Sequence, residues 1–225
     1  MGGNGRGDRR VPNGIALIIP AYNEEHNITR VLDVALVSPV LGRIIVVDDG
    51  SADATAKVAA SFPGVEVIRQ PNKGKAGAMH AGVEATTEDI LLFLDADLKG
   101  LTTQHIADLI APVAEGRCDM TMGLFYGPPH PSRWAHRVSP SLSGQRAVKR
   151  QVFGLLKNYG NLGYGIETGF TKLVKRGMIK MERVRMDGVS QLMKEEKYGF
   201  IDGAKLRVRM FYEVVRTRLS RPYKT

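Results

Sequence analysis

Residues 15–25 read Ile-Ala-Leu-Ile-Ile-Pro-Ala-Tyr-Asn-Glu-Glu, five apolar residues running straight into a polar corner. An unbroken apolar run, unlike an alternating one, marks a strand covered on both faces, which is what helical crossovers in a parallel sheet produce. The same form recurs at Ile44-Ile45-Val46-Val47 within Arg43 to Val47, and at Ile90 to Leu94; Val65 to Ile68 and Met120 to Met122 are further strands. Helix-length segments separate them. The fold class that follows is α/β: a mostly parallel central sheet with helices on both faces.

Working outward, the first helix is expected from about Glu25 to Val37, and the second after Ser51, capped by Ser51 or Asp53 and ending before Pro63. A third starts near Ala76, and a fourth follows Leu101 with Thr102 or Thr103 as cap. Beyond Gly123 the turn-forming stretch Tyr126-Gly127-Pro128-Pro129-His130-Pro131 opens a long surface loop to about residue 143. Helices are expected at Gln145 to Leu156 and Glu167 to Arg176, with a strand at Ile179 to Val184. Residues 204–219 mix edge-strand alternation with helical spacing and are read as helix.

A chain of 225 residues with one cysteine, Cys118, suits a single globular domain over 1–225 in a reducing compartment. No apolar stretch reaches membrane-spanning length and no signal-peptide core follows the glycine-rich start. The expected location is cytoplasmic, with the inner membrane face as a second possibility. The net charge of +9 is concentrated: from Thr171 onward fifteen Lys or Arg oppose six Asp or Glu. Such a tail suits an anionic partner, either a phosphorylated acceptor or an anionic membrane touched peripherally. Few aromatics accompany the basic residues, so no nucleic acid is expected. The oligomeric state is not readable.

Ligands of open parallel sheets sit outside the carboxyl ends of the strands. Three strands end there in polar clusters: Pro20-Ala21-Tyr22-Asn23-Glu24-Glu25, Asp48-Asp49-Gly50-Ser51 and Asp95-Ala96-Asp97. The first two also serve as ordinary strand-to-helix corners. The third is harder to explain structurally, because two carboxylates at the end of a buried strand repel one another unless a cation sits there. Oxygen ligands in this number favour Mg2+ or Mn2+, completed by substrate phosphates and water. In Asn72-Lys73-Gly74-Lys75-Ala76-Gly77-Ala78, small residues, free helix N–H groups and Lys75 are suited to a diphosphate.

These pieces, in this order, resemble the nucleotide-sugar half of family 2 glycosyltransferases with the GT-A fold, over roughly Ile15 to Gly123. The resemblance implies a Rossmann-like donor half (about 11–123) and an acceptor half with the basic tail (about 124–225). It implies that Pro20, Tyr22, Glu24, Asp48 and Asp49 hold the nucleoside, and that Asp95 and Asp97 hold the metal. Ser143-Gly144-Gln145-Arg146 resembles the Ser-Gly-x-Arg segment of enzymes similar to dolichyl-phosphate-mannose synthase, where the arginine lies near phosphate. Arg146, with Lys149 or Arg150, is therefore expected at an anionic acceptor or the departing diphosphate. Gly163-Tyr164-Gly165-Ile166-Glu167-Thr168 is similar to acceptor-side sequence in the wider group. One departure stands out: relatives often carry glutamine two positions after the second aspartate, where this chain has Lys99.

The expected reaction is inverting transfer of a hexose from a nucleotide-sugar donor, with Asp97, Arg146 and Glu167 as catalytic candidates and Lys75 and Asp95 at the diphosphate. Glu167 is the candidate general base for a hydroxyl acceptor; a phosphate acceptor is already anionic and needs none. A polyprenyl phosphate is the leading acceptor, and a small soluble one, as in the related glucosyl-3-phosphoglycerate synthases, is the alternative. A nicotinamide enzyme would need Gly-x-Gly-x-x-Gly after the first strand, and a sugar-phosphate nucleotidyltransferase a glycine-rich loop there; neither is present. The non-enzymatic alternative is a protein that binds nucleic acid or membrane through its basic tail.

Overall fold

The apolar runs form the middle of the sheet because they leave no polar face to present to water. In the computed structural model, which describes residues 14–126, 144–156 and 165–191, the strands are β1 (Ile15–Ala21), β2 (Arg43–Asp48), β3 (Val65–Arg69), β4 (Ile90–Phe93), β6 (Met120–Tyr126), β7 (Arg146–Lys149) and β8 (Met181–Asp187). They make one sheet in the order β3-β2-β1-β4-β7-β6-β8. β1, β2, β3 and β4 pair in parallel, as do β6 and β8, while β7 runs antiparallel between β4 and β6. A second, two-stranded sheet joins β5 (Leu98–Lys99) to β9 (Ser190–Gln191).

Helices α1 (Ile28–Leu36), α2 (Thr55–Ala60) and α4 (Thr103–Ala114) cover one face, and α3 (Gly74–Glu84), α5 (Arg150–Gly154) and α6 (Gly165–Lys175) the other. The period-two alternation of each strand splits its residues between the layers. Leu17, Ile19, Val46 and Leu92 pack under α1 and α4, whereas Ile18, Val47, Leu91 and Phe93 pack under α3, α5 and α6. All eight are within 1% of complete burial, each contributing about 1.5–3 kcal/mol.

Helix starts follow local hydrogen bonding. α1 begins at Ile28, later than the expected Glu25, because Asn27 and Ile28 donate to the Glu24 carbonyl in a preceding turn. Thr102 Oγ1 caps α4 by accepting from His105 N at 3.2 Å, as expected. Asp53 Oδ1 accepts from Thr55 N at 2.9 Å at the start of α2.

One element departs from expectation. The helix expected from Gln145 opens as strand β7, whose residues Phe93↔Arg146 to Ile90↔Lys149 face β4, and only Arg150–Gly154 is helical. Gln, Arg, Ala and Lys are all good helix formers, but inserting this segment between β4 and β6 satisfies backbone groups on both of those strands. The loop expected beyond Gly123 starts later, since β6 runs through Tyr126; its remainder, 127–143, and the helix expected in 204–219 lie outside the described residues. Among the described residues no helix is long and apolar enough to cross a membrane.

Candidate active site

The rim after β1 and β2 is two loops laced together. Asn23, in the left-handed region at φ 54°, donates its N–H to Ser51 Oγ at 2.9 Å and accepts from Ala52 N at 2.9 Å. Glu24 N donates to Thr55 Oγ1 at 2.7 Å, and that hydroxyl donates in turn to Asp53 Oδ1. Glu25 N donates to Asp53 Oδ2 at 3.2 Å, and Ala54 N to Glu25 Oε2 at 2.8 Å. The acidic side chains here already have protein donors: Glu24 accepts from Asn27 Nδ2 at 3.0 Å, Asp48 from Ser51 N at 3.3 Å and Arg69 Nε at 3.4 Å, and Asp49 from Gln70 Nε2 at 2.6 Å and Lys73 N at 2.8 Å. Glu24, Asp48 and Asp49 are buried, Pro20 is half-buried, and Tyr22 stands exposed at the mouth.

Beyond β4 the rim is charged. Asp95 Oδ1 lies 2.7 Å from Lys75 Nζ, in the first turn of α3. Asp95 Oδ2 accepts from Gln145 Nε2 at 2.9 Å and from Gln191 Nε2, which also reaches Asp97 Oδ1 at 3.4 Å. Burial alone would raise the Asp95 carboxyl, but the Lys75 ammonium and these amide donors outweigh it and hold Asp95 below its ordinary value. Asp97 goes the other way: burial first, and the Asp95 charge second, push it up to about 7. A cation is the simplest group that would relieve both effects.

Gly144 makes this packing possible. A Cβ at that position would stand 2.5 Å from Asp95 Oδ2 and 2.6 Å from Lys75 Nζ, so any larger residue would have to push the ends of both side chains aside. Its neighbour Gln145 is fully buried and turned to Asp95.

The next residue faces the opposite layer. Arg146 is 1% exposed, with its guanidinium carbon 5.0 Å from the centroid of the Phe170 ring on α6. Lys149 and Arg150 are at the far end of β7: Lys149 Nζ meets Asp119 Oδ1 at 2.7 Å, and Arg150 donates to the Glu88 and Val83 carbonyls at 2.7 and 3.0 Å. They stand beside Ile90, at the opposite end of β4 from Asp95. Glu167 is on α6, and its side chain lies outside the described ones, as do residues 157–164.

Sequence reasoning missed Gln191. Its local sequence, Val189-Ser190-Gln191, carries no signal, and it is 96 residues from Asp95. Only the pairing of Leu98 with Gln191 and of Lys99 with Ser190 brings it to the rim.

Among the described residues no three His, Cys, Asp or Glu side chains gather as a metal group. The donor set at the rim is two carboxylates with side-chain amides. That set fits Mg2+ or Mn2+, which keep waters and borrow substrate phosphates rather than demanding an all-protein cage, and Asp97, raised by burial and then by its neighbour, is the carboxylate that gains most from such an ion.

Comparison with known proteins bears on the family and the fold. An uncharacterized glycosyltransferase of Mycobacterium tuberculosis is 34% identical over 111 residues, 49% of this chain and 48% of that protein. Undecaprenyl-phosphate 4-deoxy-4-formamido-L-arabinose transferase of Proteus mirabilis is 32% identical over 114 residues, 46% of this chain and 35% of that protein. The matches therefore span about half the length of the first of these relatives and less of the second. The crystal structure of glucosyl-3-phosphoglycerate synthase from Mycobacterium tuberculosis with Mn2+, uridine-diphosphate-glucose and phosphoglyceric acid superposes with a TM-score of 0.69 at 22% identity, covering 91% of this chain and 79% of that one. The α/β sheet matches the GT-A fold of that structure. The sequence profile described as Glycosyl transferase family 2 matches residues 16–181, and the chain belongs to that family.

Proposed function

We propose that this chain is a metal-dependent inverting glycosyltransferase, moving a hexose from a nucleotide-sugar to a phosphorylated acceptor, with a polyprenyl phosphate as the leading acceptor. The observation that carries the reading is the meeting of Lys75, Asp95 and Asp97 at the carboxyl end of β4, where two carboxylates of opposed proton affinity share one basic side chain. Asp95 and Asp97 would hold Mg2+ or Mn2+, and the ion would neutralise charge on the departing diphosphate.

The remaining work falls to the chain itself. Lys75 sits in the first turn of α3, whose free N–H groups favour an anion, so a diphosphate arriving there competes with Asp95 for the ammonium. Tyr22 offers an exposed ring at the mouth, and the buried carboxylates Glu24, Asp48 and Asp49 fix the laced loops on which the nucleoside would rest, with Pro20 at the strand end. In this reading residues 11–123 form the donor half and 124–225 the acceptor half. Arg146 supports the anionic end of the site from the α6 side, and Glu167 acts as base only if the acceptor is a hydroxyl. The basic residues from Lys172 onward suit peripheral contact with an anionic membrane.

The undecaprenyl-phosphate transferase among the relatives favours the lipid acceptor. The second reading, a small soluble acceptor, draws on the phosphoglyceric acid in the superposed structure. The test is transfer of labelled sugar, with Mn2+ and each common nucleotide-sugar, to undecaprenyl phosphate in detergent and to 3-phosphoglycerate in buffer. Label in the lipid confirms the leading reading, and label in phosphoglycerate the second. Transfer to neither, by protein that binds no donor, would end both.

A further inference from the structure

The side chain of Gln191 touches both carboxylates of the rim at once, through Asp95 Oδ2 and Asp97 Oδ1. An ion shared by those two groups has to meet the same amide. A side-chain amide also carries a hard, neutral carbonyl oxygen suited to Mg2+ or Mn2+, and its nitrogen and oxygen exchange places by a half-turn of the broad terminal torsion.

The scaffold behind Gln191 is substantial for a strand of two residues. Val189 is fully buried in the layer under α4, and Ser190 is buried beside it. Gly188 N donates to the Tyr126 carbonyl at 2.8 Å at the end of β6. Gly100 approaches so closely that a Cβ on it would stand 2.6 Å from Gly188 O. The pairing Leu98↔Gln191 then fixes the side chain over the segment that follows Asp97.

We propose that Gln191 is a third protein ligand of the ion held by Asp95 and Asp97, and that the β5–β9 pairing delivers it. This rests on the two-carboxylate reading above. The competing role is a strut, in which the amide only donates hydrogen bonds that hold the carboxylates in place.

The two roles differ in which atom lies next to the ion. A ligand role turns the amide oxygen onto Mn2+; a strut role leaves the amide in its hydrogen bonds to Asp95 and Asp97. Affinity alone does not separate them, because losing an outer partner in Gln191→Leu weakens binding roughly tenfold in either role and a carboxylate in Gln191→Glu attracts the cation in either role. The experiment therefore loads the intact chain, carrying glutamine labelled with 13C at the side-chain amide carbon, with Mn2+ alone and reads the 13C coupling to the ion by electron–nuclear double resonance. The expected result is the strong coupling of a coordinated amide in the wild type, its loss in Gln191→Leu, and no bound Mn2+ in Asp97→Asn. Bound Mn2+ without that coupling, or a coupling that persists in Gln191→Leu, overturns the role of Gln191 and leaves the carboxylate pair standing. Wild-type affinity in Asp97→Asn overturns both. Should the Leu variant fail to fold, Gln191→Glu, whose carboxylate carries no label, decides in its place.

Discussion

The rim after β1 and β2 and the rim after β4 are both acidic, yet they are built on opposite principles. In the first, Glu24, Asp48 and Asp49 accept hydrogen bonds from backbone and side-chain donors of those loops and of the segment that follows β3. In the second, Asp95 draws an ammonium and two amides to itself, while burial and then the Asp95 charge leave Asp97 raised to about 7. The difference separates frame from working part: a carboxylate satisfied by its own protein holds a shape, and one whose charge is opposed by its neighbour is ready to take a cation. Substitutions in the first rim should therefore register mainly as stability, and those in the second mainly as binding.

The largest effect is expected from Asp97→Asn. Mn2+-dependent donor binding should fall by roughly a hundredfold or more, while the ligand-free protein becomes more stable at pH 8. The sign follows from the raised folded-state value. An unfolded aspartate ionises near its ordinary value, so wild-type Asp97 withdraws stability as pH climbs from there through about 7, and the amide is spared that loss. Melting curves at pH 5 and pH 8 check it: variant and wild type should agree more closely at pH 5 and differ by about 3–8 °C at pH 8. By the same linkage, Mn2+ binding to the wild type should weaken as pH falls below about 7, where the proton competes for Asp97.

Gly144→Ala comes next. The added methyl must displace the Lys75–Asp95 pair, costing about 1–3 kcal/mol of stability and roughly tenfold in donor affinity, measured by calorimetry. Thr55→Val probes the other rim. The isosteric change leaves Glu24 N and Asp53 without the hydroxyl between them, so a loss of about 1–3 kcal/mol is expected in urea unfolding, with Mn2+ affinity nearly unchanged. A large fall in Mn2+ affinity here would erase the distinction between the rims. The smallest effect belongs to Glu66→Gln, which breaks the exposed pair with Arg43 at 2.6 Å and should shift stability by less than about 1 kcal/mol.

The sequence made much of this legible because the relevant signals are local. The apolar runs of β1, β2 and β4 announce strands buried on both faces, and their polar clusters begin at the residue where each run stops, so the rim could be read directly. β7 could not, since Arg146–Lys149 is a strand only because a gap between β4 and β6 accepts it. That change of element also decided the fate of its side chains: alternation turns Gln145 to Asp95 and Arg146 to Phe170, where a helix would have spread them otherwise. Gln191 was hidden for a related reason. Two-residue strands have no periodicity, and its meeting with Asp97 is set by the β6–β8 pairing and the close approach of Gly100 to Gly188.

The central claim is that the rim after β4 holds a metal through which a nucleotide-sugar binds, and melting of the chain measures it most directly. UDP, GDP, ADP and dTDP sugars are each added with and without Mn2+, since a ligand that binds only the folded state raises the midpoint. The account predicts a rise with one nucleotide that requires Mn2+ and disappears in Asp97→Asn. No rise with any nucleotide, or an equal rise without the metal, would contradict it.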